Sequence, residues 1–138
     1  MTKTLSGRCL CGAVRYTCDA EPVMTGHCSC EDCRRSSGTG HSSHLAVPEA
    51  SVAMTGRTSA YEKASEGGNL VKRHFCPTCG APVFSTNPAL AGLVFLRAST
   101  LDDLERFKPQ MHVYASRAPS WDRPAEGLPA FDKMPPSM

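Results

Sequence analysis

The sequence has little net charge, few aromatic residues and no long apolar run. The formal net charge is +2 and only 7% of the residues are aromatic, which argues against nucleic acid as a partner. No apolar run approaches the roughly 20 residues that span a bilayer, so we expect no membrane insertion. The amino-terminal stretch MTKTLSGRCLCG lacks the apolar core of a secretory signal, and we therefore expect a cytoplasmic location.

The length and composition are those of one globular domain over residues 1–138, since 41% of the residues are hydrophobic and 20% are charged. The stretch 117–138 is rich in proline, which excludes regular helix and central strand. We expect this tail to wrap the domain through Trp121 and Phe131, or to be partly disordered at its end. Homo-oligomers are compatible with the sequence.

The apolar patterns predict a mainly β fold with little helix. In the stretch 12–18, Val14, Tyr16 and Cys18 alternate with polar residues and predict a half-buried strand. Six further short strands or extended stretches are predicted, over 22–28, 41–48, 51–56, 58–64, 92–99 and 110–116, and the stretches 70–76 and 81–87 enter and leave the CPTC cluster. Two short helices are also expected, one capped by Ser29 and carrying Cys30 and Cys33, and one capped by Thr100.

Cysteine is the abundant functional residue, and seven of the eight cysteines fall in three clusters, CLC, CSCEDC and CPTC. In a reducing compartment such clusters indicate metal binding rather than disulfides, because neighbouring thiolates can converge on one ion. Cys18 lies outside the clusters and is interpreted as a small buried hydrophobe.

Two of the clusters pair naturally into a closed four-cysteine site. Cys76 and Cys79 form a CxxC turn of the zinc-knuckle type, and Gly80 permits the positive φ that such a turn needs. A redox CxxC would require a following helix, which Gly80 and Pro82 disfavour. Cys9 and Cys11, two residues apart on a predicted strand, would face the same side and complete a structural zinc site.

Cys28, Cys30 and Cys33 remain as three ligands without a fourth. Three protein ligands and an open position are typical of catalytic zinc, where a bound water or substrate thiol becomes a nucleophile near neutral pH. The alternative is that Cys18 or a histidine closes the site and makes both zincs structural. The candidate histidines are His27, His41, His44 and His74.

Arg34 and Arg35 follow the triplet directly. They could offset the charge of a thiolate-rich zinc site or bind a substrate carboxylate through paired hydrogen bonds. A solvated helix face is the alternative interpretation of both.

Taken together, the stretches GRCLCGAVRYTC, HCSCEDCRRSSG, FCPTCGAPVF, MHVYASRAPSW and GLPAF resemble the glutathione-dependent formaldehyde-activating enzyme family, whose domain is shared with centromere protein V. The resemblance extends from about Gly7 to Phe131. It implies an Mss4-like fold of several coiled β-sheets around zinc. It further implies a structural zinc at Cys9, Cys11, Cys76 and Cys79, and a second, catalytic-type zinc at Cys28, Cys30 and Cys33.

The activity that the resemblance implies is condensation of glutathione with formaldehyde, a carbon–sulfur lyase reaction in reverse. The sequence therefore predicts two zinc ions per chain and a small thiol and carbonyl as substrates. Thiolates without metal oxidise readily, so the second zinc is the one expected to be under-occupied after purification. The alternative function is a non-catalytic, zinc-stabilised binding or scaffold domain.

Overall fold

The computed structural model describes residues 4–135 and consists mostly of short β-strands. Its one α-helix is α1 (Glu31–Ser37). The strands are β1 (Leu5–Arg8), β2 (Arg15–Cys18), β3 (Met24–Cys28), β4 (Ser42–Pro48), β5 (Val52–Thr55), β6 (Ser59–Ala64), β7 (Leu70–Phe75), β8 (Pro82–Thr86), β9 (Leu93–Arg97) and β10 (His112–Val113). Short 3-10 turns lie at Glu49–Ser51, Pro88–Leu90, Ala98–Thr100, Leu104–Arg106 and Ala115–Arg117. The prediction of a mainly β fold with several sheets and little helix is confirmed.

The strands form two sheets, and the larger one positions the cysteine triplet. The smaller sheet has the order β1-β2-β5, and the larger has the order β10-β3-β4-β9-β8-β7-β6. All neighbouring strands are antiparallel except β10, which pairs with β3 in parallel. Strands β3 and β7 belong to the same sheet, one near each end. Residues that are distant in sequence can therefore share one face of it.

The core lies between the two sheets and is built from alternating apolar residues. On β2, Tyr16 and Cys18 are buried while Arg15 and Thr17 are exposed, which is the predicted alternation. Leu45 and Leu96 are fully buried and lie opposite each other on β4 and β9. The buried residues of this core are Leu5, Cys9, Val14, Tyr16, Cys18, Leu45, Val47, Cys76, Val83, Val94, Leu96, Ala98 and Leu101.

Both helix predictions were wrong in detail. Helix α1 exists, but its cap is Cys30, whose sulfur accepts from the backbone N–H of Cys33 at 3.4 Å. Ser29 is instead fully buried and its hydroxyl bonds Nε2 of His112. The helix predicted after Thr100 is only the single 3-10 turn Leu104–Arg106, because the Thr100 hydroxyl donates back to the carbonyl of Arg97.

The proline-rich tail packs against the larger sheet, but not through Trp121. Phe131 exchanges backbone hydrogen bonds with His112 and Ala115, whereas Trp121 is 72% exposed. Asp122 provides the second anchor, since its carboxylate accepts from Nδ1 of His41 at 2.6 Å. The end of the tail, 136–138, lies outside the described residues. Within residues 4–135 no helix is both long and apolar enough to cross a membrane.

Candidate functional site

Four cysteine sulfurs converge where the loop after β1 meets the turn after β7. The sulfurs of Cys9, Cys11, Cys76 and Cys79 all lie within 4.8 Å of one another and could hold a metal ion. The Cys9–Cys11 and Cys11–Cys76 sulfur distances are 3.7 and 3.8 Å, far longer than a disulfide bond. Cys9 and Cys11 lie in a loop rather than on the predicted strand, because β1 ends at Arg8.

Backbone N–H groups surround this cluster and favour thiolates. Cys76 accepts from the backbone N–H groups of Thr78 and Cys79 at 3.4 and 3.5 Å, and Cys9 accepts from that of Val14 at 3.3 Å. Backbone hydrogen bonds, first from Ala81, lower the pKa of Cys79 to about 6. Gly80 has the predicted positive φ of 76°, which lets the chain turn tightly enough to aim both sulfurs inward.

The second cluster is a sulfur triad at the start of α1. Cys28 ends β3, Cys30 caps α1 and Cys33 lies in its first turn, and their three sulfurs are within 4.8 Å of one another. Among residues 4–135, no fourth cysteine, histidine or carboxylate meets the same distance criterion as part of this group. Cys18 is buried in the core and its sulfur contacts Ser51 instead, at 3.3 Å.

The close approach of the three sulfurs shifts the pKa values of the triad thiols. Hydrogen bonds from the thiols of Cys28 and Cys30, together with one from His44, hold the pKa of Cys33 well below its ordinary value. The same contacts with Cys30 and Cys33, and burial, raise the pKa of Cys28 far above its ordinary value. Full ionisation of the triad therefore requires a cation, as expected of a metal-binding donor set.

Of the four histidines considered as ligands, only His44 lies beside the triad, with Nε2 3.8 Å from the sulfur of Cys33. His27 bonds the hydroxyl of Ser43, and His41 bonds Asp122. His74 bonds Thr58 and stacks on Phe84, on the other side of the sheet.

His44 is already engaged through both ring nitrogens. Arg97 Nη1 lies 2.8 Å from His44 Nδ1, and a guanidinium can only donate. Burial, and then the charge of Arg97, lower the pKa of His44, which favours the neutral ring. Its single proton is therefore on Nε2, which faces Cys33 and the hydroxyl of Ser42.

The triad lines a cavity of about 690 Å³, within the range of small-molecule sites. Apolar walls are supplied by Met24, Phe95 and Met111, and cationic side chains by Lys63, Arg73 and Arg97. Tyr114 also lines it and is the one non-glycine residue in the described chain with a positive φ, 52°.

The two predicted substrate arginines do not reach this cavity in the described structure. Arg34 donates through Nε to the carbonyl of Ser29, and Arg35 forms an exposed ion pair with Glu31. The cations at the cavity are instead Lys63, Arg73 and Arg97, and sequence reasoning singled out none of them. The sequence did contain an indication that Arg73 faces inward, since it lies two residues after the buried Val71 and so on the same face of the strand.

Comparisons with known proteins identify the family and the fold. Residues 4–117 match the model of the family described as glutathione-dependent formaldehyde-activating enzyme. A protein of Halomonas elongata, provisionally named as such an enzyme, is 31% identical over 123 residues, covering 85% of this chain and 78% of its own. A crystal structure of a Rhodobacter sphaeroides protein shares the fold, with a TM-score of 0.57 and 20% identity, covering 70% of this chain and 87% of that one. The chain belongs to the glutathione-dependent formaldehyde-activating enzyme family.

Proposed function

We propose that the protein is a zinc-dependent carbon–sulfur lyase-type enzyme that joins a small thiol such as glutathione to a small carbonyl such as formaldehyde, or cleaves the product. One observation carries the proposal: the Cys28, Cys30 and Cys33 sulfurs converge at the wall of a cavity large enough for a small molecule. The family and the printed name of the Halomonas relative supply the candidate substrates.

The donor sets suit zinc, and we assign two ions per chain. Thiolate sulfur is a preferred zinc donor, and bonds of about 2.3 Å in a tetrahedron place the sulfurs about 3.8 Å apart. The 3.7 and 3.8 Å distances at Cys9, Cys11 and Cys76 fit that spacing without rearrangement. We therefore propose a closed structural zinc at Cys9, Cys11, Cys76 and Cys79.

The triad of Cys28, Cys30 and Cys33 supplies three sulfurs, so we propose an open zinc there, with the substrate thiol as the fourth ligand. Zinc in such a site lowers the pKa of a bound thiol and so supplies a thiolate nucleophile. The protein contributes a fixed cation, Arg97, which offsets the negative charge of the sulfurs. His44 contributes an Nε2–H that faces both the hydroxyl of Ser42 and the sulfur of Cys33, and so favours the thiolate of Cys33.

The proposed reaction balances without an oxidant. The thiol sulfur forms a bond to the carbonyl carbon, the carbonyl electron pair moves to oxygen, and the proton lost by the thiol ends on that oxygen. Apolar side chains such as Met24, Phe95 and Met111 line the cavity in which this step would take place.

A scaffold function is the second candidate, and the nearness of His44 to Cys33 is the observation that favours it. In that case His44 would close the second zinc site. The donor role of Nε2 argues against this, because a protonated ring nitrogen has no lone pair for a metal.

The test follows exchange between glutathione and formaldehyde by NMR, with and without the zinc-loaded protein. We expect the protein to accelerate exchange and Cys30→Ser to abolish the acceleration, while Cys18→Ala, which removes a thiol outside both clusters, retains it. No acceleration by the protein at stoichiometric zinc would refute the proposed activity.

A further inference from the structure

Two guanidinium groups lie on the face of the larger sheet that carries the triad cavity. Arg73 on β7 is opposite Ser85 on β8, and Ser85 is opposite Phe95 on β9. Arg97 is two residues beyond Phe95 and so shares its face of the strand. Both arginines line the cavity together with the three cysteines.

The acidic residues around this cavity are already paired with other cations. These pairs are Glu31–Arg35 at 2.9 Å, Asp32–Lys63 at 3.0 Å and Glu66–Arg117 at 2.6 Å. Within residues 4–135, neither Arg73 nor Arg97 has a carboxylate within ion-pair distance. The cavity thus offers two guanidinium groups, while each carboxylate that lines it already has another cation as its partner.

Hydrogen bonds hold the guanidinium group of Arg97 in a fixed position. It is 6% exposed, and Nδ1 of His44, the hydroxyl of Ser85 and the carbonyl of Phe95 share the two N–H groups of its Nη1. Its positive charge faces Cys33 and offsets a thiolate there. Arg97 is therefore a built-in counter-charge of the triad.

Arg73 has no comparable role. Its Nε is buried without a hydrogen-bond partner, and its charge disfavours the charge of the neighbouring Arg97. A buried donor without a partner and a like-charge neighbour both cost free energy, and an anion between the two groups removes both costs.

We infer that Arg73, backed by Arg97, is the binding site for a carboxylate of the substrate. The inference rests on the proposed function and narrows it: the thiol docks at the triad while its carboxylate accepts hydrogen bonds from the Arg73 guanidinium. A planar guanidinium is suited to paired hydrogen bonds with a carboxylate. The substrate class is thus a small anionic thiol, and neutral thiols are poor ligands.

The test compares two thiols that differ only in the α-carboxylate, N-acetylcysteine and N-acetylcysteamine. Their binding to the zinc-loaded protein is measured by calorimetry. We expect the wild type to bind N-acetylcysteine about tenfold more tightly or better, as a charge-assisted hydrogen-bonded pair provides. Arg73→Gln should bring the preference close to one, and Arg73→Lys should reduce it severalfold because a point charge lacks the planar fork.

Two control variants test whether the preference for N-acetylcysteine depends on Arg73 rather than on any arginine. The exposed Arg57 lies away from the cavity lining, and Arg57→Gln should keep the full preference. Arg35→Gln removes an arginine of α1 and should also keep it. A preference lost in Arg35→Gln but retained in the Arg73 variants would place the carboxylate at the helix instead and overturn the inference.

The outcomes separate this inference from the proposed function. Equal binding of both thiols by the wild type overturns the carboxylate site and leaves the thiol site standing. Failure of the wild type to bind either thiol contradicts the proposed function itself. If Arg73→Gln does not fold, Arg73→Lys decides the assignment, since an unchanged preference in that variant overturns it.

Discussion

Nη1 of Arg97 lies 2.8 Å from Nδ1 of His44, and this contact fixes which ring nitrogen of His44 carries the proton. The guanidinium must donate, so Nδ1 accepts and Nε2 presents its N–H to the hydroxyl of Ser42 and, at longer range, to the sulfur of Cys33. Because of its contact with Arg97, His44 acts as a hydrogen-bond donor toward the triad. A metal ion at the triad would therefore have three protein ligands, all of them cysteine sulfurs.

His44→Gln should leave the metal content of the triad unchanged. A glutamine amide can donate to Cys33 in place of Nε2, and no ligand is lost. We expect mass spectrometry under native conditions to find two zinc ions per chain in this variant, as in the wild type.

Cys30→Ser is the matched comparison, because it does remove a proposed ligand, and it should retain one zinc ion. Loss of one zinc ion from His44→Gln as well would make His44 a ligand and favour the scaffold function.

The two cysteine clusters should differ in their contribution to stability. Cys9 and Cys76 are buried in the core, so Cys76→Ser is expected to lower the free energy of unfolding by about 3 kcal/mol or more, through loss of metal-coupled folding. Cys30→Ser should lower it by less, because that cluster lies at a cavity wall. Urea unfolding followed by circular dichroism measures both. Equal losses in the two variants would show that the division into structural and open sites is wrong.

Metal should also leave the two sites separately. A chelator is expected to remove the triad metal first, because three protein sulfurs rather than four would hold it, and the far-ultraviolet circular dichroism should not change at that stage. Release of the second equivalent should coincide with unfolding. A colorimetric zinc indicator follows release, and simultaneous release of both equivalents with loss of structure is the opposing result.

Tyr16 ties the smaller sheet to the turn that follows β9. Its hydroxyl lies 2.6 Å from that of Thr100, and burial raises its pKa to about 12. The folded state therefore holds this proton where the unfolded state releases it, so stability is lost as pH rises from about 10 to about 12. Tyr16→Phe should remove this alkaline loss.

Tyr61 is 63% exposed and provides the control for that experiment. Urea unfolding of the wild type, Tyr16→Phe and Tyr61→Phe between pH 9 and about 11 makes the comparison, with the range set by the ordinary tyrosine pKa of about 10. An identical alkaline loss of stability in the wild type and Tyr16→Phe would rule out this role.

The cysteine motifs were accessible to sequence analysis because the spacing within each motif is local, although the two pairs that meet in one cluster lie 65 residues apart. The CxxC turn, the positive φ of Gly80 and the separation of Cys18 from both clusters follow from neighbouring residues, and the structure has each of them. The cap of α1 was missed because Ser29, a favourable capping residue, is used instead to bond His112, 83 residues away.

The cavity cations were missed for a related reason. Arg73 and Arg97 come together only because β8 pairs with both β7 and β9, and strand order in a sheet is not encoded in local alternation. Arg34 and Arg35 were chosen for their place beside the triplet. The first turn of α1 directs Arg35 toward Glu31 and Arg34 toward the carbonyl of Ser29, rather than into the cavity.

The central claim is that the Cys28, Cys30 and Cys33 site binds a substrate thiol as its fourth ligand. The most direct measurement is cadmium-113 NMR of the cadmium-substituted protein during titration with glutathione. We predict two resonances, of which one, from the four-cysteine site, stays in place while the other shifts toward the four-sulfur position, and we predict no such shift in Cys30→Ser. Two resonances that both stay in place, with coupling of one to the ring protons of His44, would contradict the account.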